Sequence, residues 1–394
     1  MKKVSLNKIS ADKEANLLVC SSLVNSSADT SSARHSSTRD SSPCLLTTAE
    51  SKALRGIAIL GIMLHNYCHF LGFAVKENEY TFTAARPAQL LDRLMSPDMY
   101  LPVHLLSFFG HYGVPVFLFI SGFGLVCKYE RDARGRVGTL PFTGYHYLKL
   151  LRLMFLGYIA FAVVSCLHPH GYHGYTVGRV LAQLLMYINL LPDPDHIIKP
   201  GPYWFFGLML QLYVVYRLFV YRRRSLNVVV LMAVCWLAQA VFTPAADPGG
   251  EILNRIRYNF IGGMLPFGAG VLYARCGRCL PAWAYACVAL VSAAAVFAGS
   301  FAFQAWLWVP LFVVTGAVAT IRLVPARALG VCVWFGAVSS ALFVVHPVTR
   351  EIIISMSYRG QVYTGLLVYV AASILLAWLF KLAFRYIPKP KLRS

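Results

Sequence analysis

Arg55 and His65 stand inside one strongly apolar run, Leu54-Arg55-Gly56-Ile57-Ala58-Ile59-Leu60-Gly61-Ile62-Met63-Leu64-His65-Asn66. Such a segment can span a bilayer. An arginine at its centre costs about 2.5–3.5 kcal/mol, less where the side chain snorkels from a helix end. Groups kept at that cost are candidates for chemistry. Histidine is the base among them, because its ordinary pKa of about 6.5 lies near working pH. At roughly 100° per residue, Arg55 and Asn66 fall on nearly one face, His69 about 40° away and His65 about 80° away on the same side. Arg55 sits near the inner end, His65 near mid-depth and His69 further out. The stripe offers a cation for phosphates or an oxyanion, with an imidazole above it, His65 or His69, to take a proton.

Other chemistry is sparser. Small residues at Ser121, Gly122 and Gly124 allow close helix approach, and no G-x-S-x-G elbow makes Ser121 a nucleophile. Lys149 and Arg152 share a face at the inner end of the third span. They suit either headgroup anchoring or a phosphate clamp. Tyr203 and Trp204 open the fourth span behind Pro200-Gly201-Pro202, and His346 precedes Pro347, with Arg350 and Glu351 beyond. Every Asp and Glu falls in a loop, a tail or a span edge. That absence removes paired-carboxylate catalysis and counts against cation-coupled transport. The H-x-x-x-H of His65 and His69 lacks a third nearby ligand, so no metal and no bound cofactor are expected. A lone C-x-x-C at Cys276 and Cys279 supplies no zinc site either.

These groups need a membrane scaffold to hold them. The chain of 394 residues is 58% hydrophobic and 13% charged, with a mean hydropathy of +0.59. Soluble domains carry about 25% charged residues. An all-α integral membrane protein is therefore expected. Spans of about 20 apolar residues lie near 53–74, 105–127, 145–167, 203–221, 226–243, 257–274, 281–299, 301–321, 329–348 and 361–384. That is about ten transmembrane helices. The shorter stretch Val180 to Leu191 reads as re-entrant or interfacial. With that count, Lys128, Arg131, Arg134, Arg136, Arg222, Arg223, Arg224, Arg275, Arg278, Arg322 and Arg327 fall on one side with the basic C-terminal end. The positive-inside rule then makes both termini cytoplasmic. The formal charge of +20 follows from topology, and no nucleic-acid partner is expected. Residues 1–50, rich in Ser and Thr, read as a disordered tail. Residues 51–388 form the transmembrane domain and 389–394 a basic tail.

Arg55-Gly56-Ile57-Ala58 followed by His65, and Gly113-Val114-Pro115-Val116-Phe117 running into Ile120-Ser121-Gly122-Phe123, resemble acyltransferase family 3, a family of bacterial membrane O-acyltransferases. Lys149-x-x-Arg152, Tyr203-Trp204-Phe205 with Gln211 and Tyr213, and Ser339-Ser340 through His346-Pro347 agree in order and spacing, over about residues 50–390. The resemblance implies an inner-membrane enzyme that moves acetyl or another small acyl group from a cytosolic acyl-CoA, as donor substrate, to a hydroxyl of a surface glycan or lipid-linked sugar. It implies catalytic roles for Arg55 and His65 and donor-side roles for Lys149 and Arg152. The residues themselves add His69, as the alternative base, and Asn66 at the same site, Ser121 on the donor side, and Trp204, Gln211 and His346 in support or on the acceptor side. The sequence departs from the family at two places. Many members place the histidine eleven residues after the arginine, where this chain has Asn66. Relatives with a Glu-Glu pair before Gln-x-Tyr are matched here by Met209 and Leu210. The loop 75–102 and the segment 180–202, with Asp193, Asp195 and His196, are expected to contact the acceptor. A transporter or flippase for a lipid-linked glycan or organic anion is the rival reading.

Overall fold

Thr47 opens the first helix. Its hydroxyl accepts from the Glu50 amide at 3.2 Å while the Glu50 carboxylate accepts from the Thr47 amide at 2.7 Å. This reciprocal cap satisfies donors that a helix start leaves bare. The helix it opens, α1, runs Thr48–Cys68 and so starts ahead of residue 51. The computed structural model describes residues 45–131, 137–167 and 174–392. The serine-rich segment up to residue 44 lies outside them. The described residues are helices and loops with no strand, and the fold is 75% helix.

In chain order follow α2 (Ala85–Met95), α3 (Leu101–Phe109), α4 (Gly113–Tyr129), α5 (Thr139–Leu167), α6 (Val177–Leu184) and α7 (Trp204–Val215). Then come α8 (Ser225–Ala240), α9 (Glu251–Arg257), α10 (Phe260–Cys276), α11 (Ala282–Gly299), α12 (Phe303–Trp306), α13 (Val309–Leu323), α14 (Gly330–Tyr358) and α15 (Val362–Ala383). Six stretches are long and apolar enough to cross a membrane, and α8, α10 and α13 are shorter apolar helices. The first helix, α1, is in neither group, and the segment 301–321 is divided between α12 and α13. The segment 180–191 falls outside both groups as well. It holds the end of the eight-residue α6 and a tight turn at Ile188–Leu190, too short to cross.

Helix α1 is the hub, packed on α3, α4, α13, α14 and α15. Its closest crossing is with α14, and small residues permit it. A Cβ on Gly56 would lie 1.9 Å from the Cys332 carbonyl oxygen, and one on Gly336 would lie 1.9 Å from that of Lys52. Without a hydrophobic drive between helices in lipid, such backbone contact supplies the packing. A membrane helix at the hub of a bundle can carry polar groups inward, and α1 does so.

Candidate active site

Where α1 nears its end, α3 and α4 cross it through a tight turn at Gly110–Tyr112. A Cβ at Gly110 would meet the Gly61 oxygen at 2.5 Å and the His65 Cβ at 2.7 Å. Glycine is what allows the approach. The result sets the chemistry of His65, whose Nδ1 lies 2.7 Å from the Ser107 carbonyl oxygen. A carbonyl only accepts, so Nδ1 carries a hydrogen and the neutral ring keeps its lone pair on Nε2. Two more imidazoles stand close, with ring centroids 5.1 Å away for His69 and 5.6 Å for His111.

Nε2 of His65 faces two carboxylates. Glu77 Oε1 is 3.8 Å away and Glu79 Oε2 is 3.9 Å away, while Glu77 Oε2 takes a hydrogen bond from His69 Nδ1 at 2.9 Å. Both come from the loop after α1, which turns back into the bundle. Its carbonyls are satisfied there by distant side chains, as buried backbone requires. Arg86 donates to Glu77 O at 2.8 Å, the Trp306 indole to Asn78 O at 2.6 Å, and Arg257 to Glu79 O at 2.9 Å. Tyr80 stacks on Tyr258 at 3.8 Å and meets Trp204 edge-on. The expectation that carboxylates stay away from the catalytic stripe is thereby corrected. Sequence position outside a span was taken as depth outside the protein, and a folded-back loop breaks that link.

The pair does not ionise alike. Burial opposes charge on Glu77, but His65, the hydrogen-bonded His69 and His111 outweigh it and hold its carboxyl below the usual range. Burial, and then the Glu77 charge, push Glu79 well above that range. The Tyr80 hydroxyl donates to Glu79 at 2.6 Å. The arrangement is one anion beside the imidazoles and one carboxylic acid behind it. A stability prediction follows from the raised group. As pH climbs from the ordinary carboxylate range towards the Glu79 value, only the unfolded chain ionises freely there, so stability falls. Glu79→Gln is expected to flatten that slope, read as melting temperature in detergent between pH 5 and 8.

Glu77 also corrects the argument against a metal. His65, His69 and Glu77 present ligand atoms all within 4.8 Å of one another, so a third donor is present after all.

A cavity of about 130 Å³ opens onto His65, His69, Asn66, Glu79 and His111. Trp204 lines it too, with Lys199 from the segment 180–202, Arg350 from the helix of His346, and Tyr258, which the sequence reading did not single out. Asn66 spends one amide hydrogen on Ile62 O at 3.0 Å, and its Oδ1 receives Arg350 at 3.4 Å. It orients that arginine and keeps one amide hydrogen beyond the bond to Ile62. His346 is fully buried, with Nδ1 3.1 Å from its own helix at Leu342 O. Gln211 lies elsewhere. It pairs with Asn259 at 2.7 Å and caps the Phe260 amide at 2.9 Å, which is a joint between α7 and α10.

Arg55 is buried but ten residues before His65, about 15 Å along the axis. It cannot touch an oxyanion beside that imidazole. Lys149 is buried with His146, whose ring lies 4.2 Å from Tyr213. Between this end and the His65 cavity lies a second, largely apolar one of about 30 Å³, which Ser121, Ser339 and Ser340 border, with Phe205 and Phe343 shared by both. Ser121 Oγ donates to Phe117 O at 2.8 Å. Arg152 points to the chain end, with Nε on Ile387 O at 3.1 Å and a second bond to Phe384 O. Those are carbonyls just past α15, where a cation meets the negative helix end. Arg152→Gln is therefore expected to leave the donor KM within about twofold and to lower the melting temperature by a few degrees, a loss of order 1 kcal/mol.

Apolar helices closed around a chamber of imidazoles, carboxylates and cations define a multi-pass membrane enzyme. The sequence pattern of acyltransferase family 3, described as an acyltransferase domain, matches residues 49–382. The chain belongs to that family and is a membrane acyltransferase, which decides against the transporter reading. No curated protein and no solved structure matches the chain.

Proposed function

We propose that the protein is an O-acyltransferase of a bacterial inner membrane, crossing it ten times with both termini in the cytoplasm. It moves acetyl or another small acyl group from acyl-CoA to a hydroxyl of a surface glycan or its lipid-linked precursor. The observation that carries this reading is His65, with Nδ1 committed to Ser107 O and Nε2 turned towards Glu77 in an open cavity.

The acceptor hydroxyl gives its proton to Nε2 as its oxygen attacks the thioester carbonyl. The carbon–sulfur bond then breaks, and the imidazolium returns the proton to the departing thiolate. The Glu77 carboxylate stabilises the transient imidazolium, since an opposite charge within about 4–6 Å favours the charged form. His69 holds Glu77 in place. Arg55 and Lys149 serve the donor at the cytoplasmic end, and the serine-bordered cavity between Phe117 and Phe343 gives its acyl arm a route to His65.

Purified protein with radiolabelled acetyl-CoA tests the reading. Label should pass to a glycan acceptor, or slowly to water, and neither should occur in His65→Ala. A chelator is expected to leave transfer unchanged, because the His65, His69 and Glu77 trio is assigned to a proton. Loss of activity restored by zinc would make those residues ligands instead.

A further inference from the structure

The cavity at His65 holds two cations that the acid–base scheme leaves idle. Arg350, 3% exposed, comes from α14. Lys199 comes from the loop before α7, so two separate elements turn positive side chains into one space. Among the described residues, neither makes an ion pair within 4.0 Å. Their partners are uncharged. Arg350 reaches Asn66 O at 3.3 Å and lies 3.8 Å over the Phe70 ring, and Lys199 donates to Asp195 O at 3.2 Å. The Asp195 carboxylate is engaged by His196 at 3.2 Å, and Glu351 stays beyond pairing distance. Burial, and then the Arg350 charge, hold the Lys199 ammonium below its usual range.

Two like charges facing one water-poor space repel each other, and an anion placed between them removes that cost. A guanidinium beside an ammonium suits a carboxylate or a phosphate. The donor's phosphates do not fit this place. Arg350 lies fourteen residues beyond Gly336, about 21 Å along α14 from the crossing near Lys52, at the opposite end from Arg55. We propose that Arg350 and Lys199 form an anion subsite beside His65 that takes a carboxylate or phosphate carried by the acceptor. The enzyme would then select an acidic sugar or a phosphate-linked glycan, its charge anchored while a hydroxyl meets Nε2. This rests on the acyl-transfer reading.

Binding without turnover tests it. The melting temperature of the full chain in detergent is measured against glucuronate, glycerol phosphate, glucose and adenosine 3′,5′-bisphosphate. Glucuronate or glycerol phosphate should stabilise the protein and glucose should not. Lys199→Gln and Arg350→Gln should each weaken the apparent affinity at least tenfold, with Arg350→Lys retaining part. A response to glucuronate alone assigns an acidic sugar, and one to glycerol phosphate alone assigns a phosphate-linked acceptor. Absence of any anion response, an equal response in the variants, or an effect of the variants on adenosine bisphosphate alone overturns the subsite. Should Arg350→Gln fail to fold, the loop variant Lys199→Gln decides. Anion binding in a protein that transfers no label would leave the subsite standing and sink the acyl-transfer reading instead.

Discussion

His65→Ala is expected to lower kcat for acyl transfer by about 10²–10⁴-fold, the usual worth of a positioned general base. The donor KM should change little, because Arg55, which the proposed function gives to the donor, sits about 15 Å away by helix rise. His69→Ala should cost much less, about tenfold, since His69 reaches the reaction only through its hydrogen bond to Glu77. Membrane-inserted amounts of each variant are compared first, then single-turnover rates. Equal losses at the two positions would move the base role to the pair, and a larger loss at His69 would move it to His69 outright.

Glu77→Gln should be the next most damaging change. It keeps the shape of the side chain and removes the charge that faces His65 Nε2 at 3.8 Å. An opposite charge within about 4–6 Å shifts a pKa by about 1–3 units, which corresponds to roughly 10–1,000-fold in rate. The loss should appear in kcat and not in KM, because the imidazolium exists only after the proton has moved. Glu77→Asp, which retains the charge on a shorter arm, should recover part of it. A purely structural Glu77 would instead lower the melting temperature in both variants and leave kcat of the surviving protein intact.

Much of this arrangement was legible in the chain. The apolar runs located the helices, because burial in lipid demands about 20 apolar residues whatever the packing. The cost of polar groups inside them pointed to His65. Beyond the first helix, legibility fell away for physical reasons. A loop carries no periodicity, so nothing in Glu77-Asn78-Glu79-Tyr80 announced that it folds inward; the sole cue was a pair of acids directly after a span bearing histidines. Helix angles put Arg55 and Asn66 on one face but gave no partner for either. Asn66 turned out to orient Arg350, and Arg152 serves the end of α15, because both bonds join residues more than two hundred positions apart. Such pairings follow from tertiary contact and leave no local trace.

The inward loop has a bearing on biosynthesis. Arg86 holds Glu77 from nine residues away, but the other two tethers, Arg257 and Trp306, are added by the ribosome 178 and 228 residues after the carbonyls they secure. Until then the nascent protein has its imidazoles but lacks the long-range part of the clamp that sets the loop against them. A truncation ending before Trp306 should therefore be inert even where its first helices insert correctly.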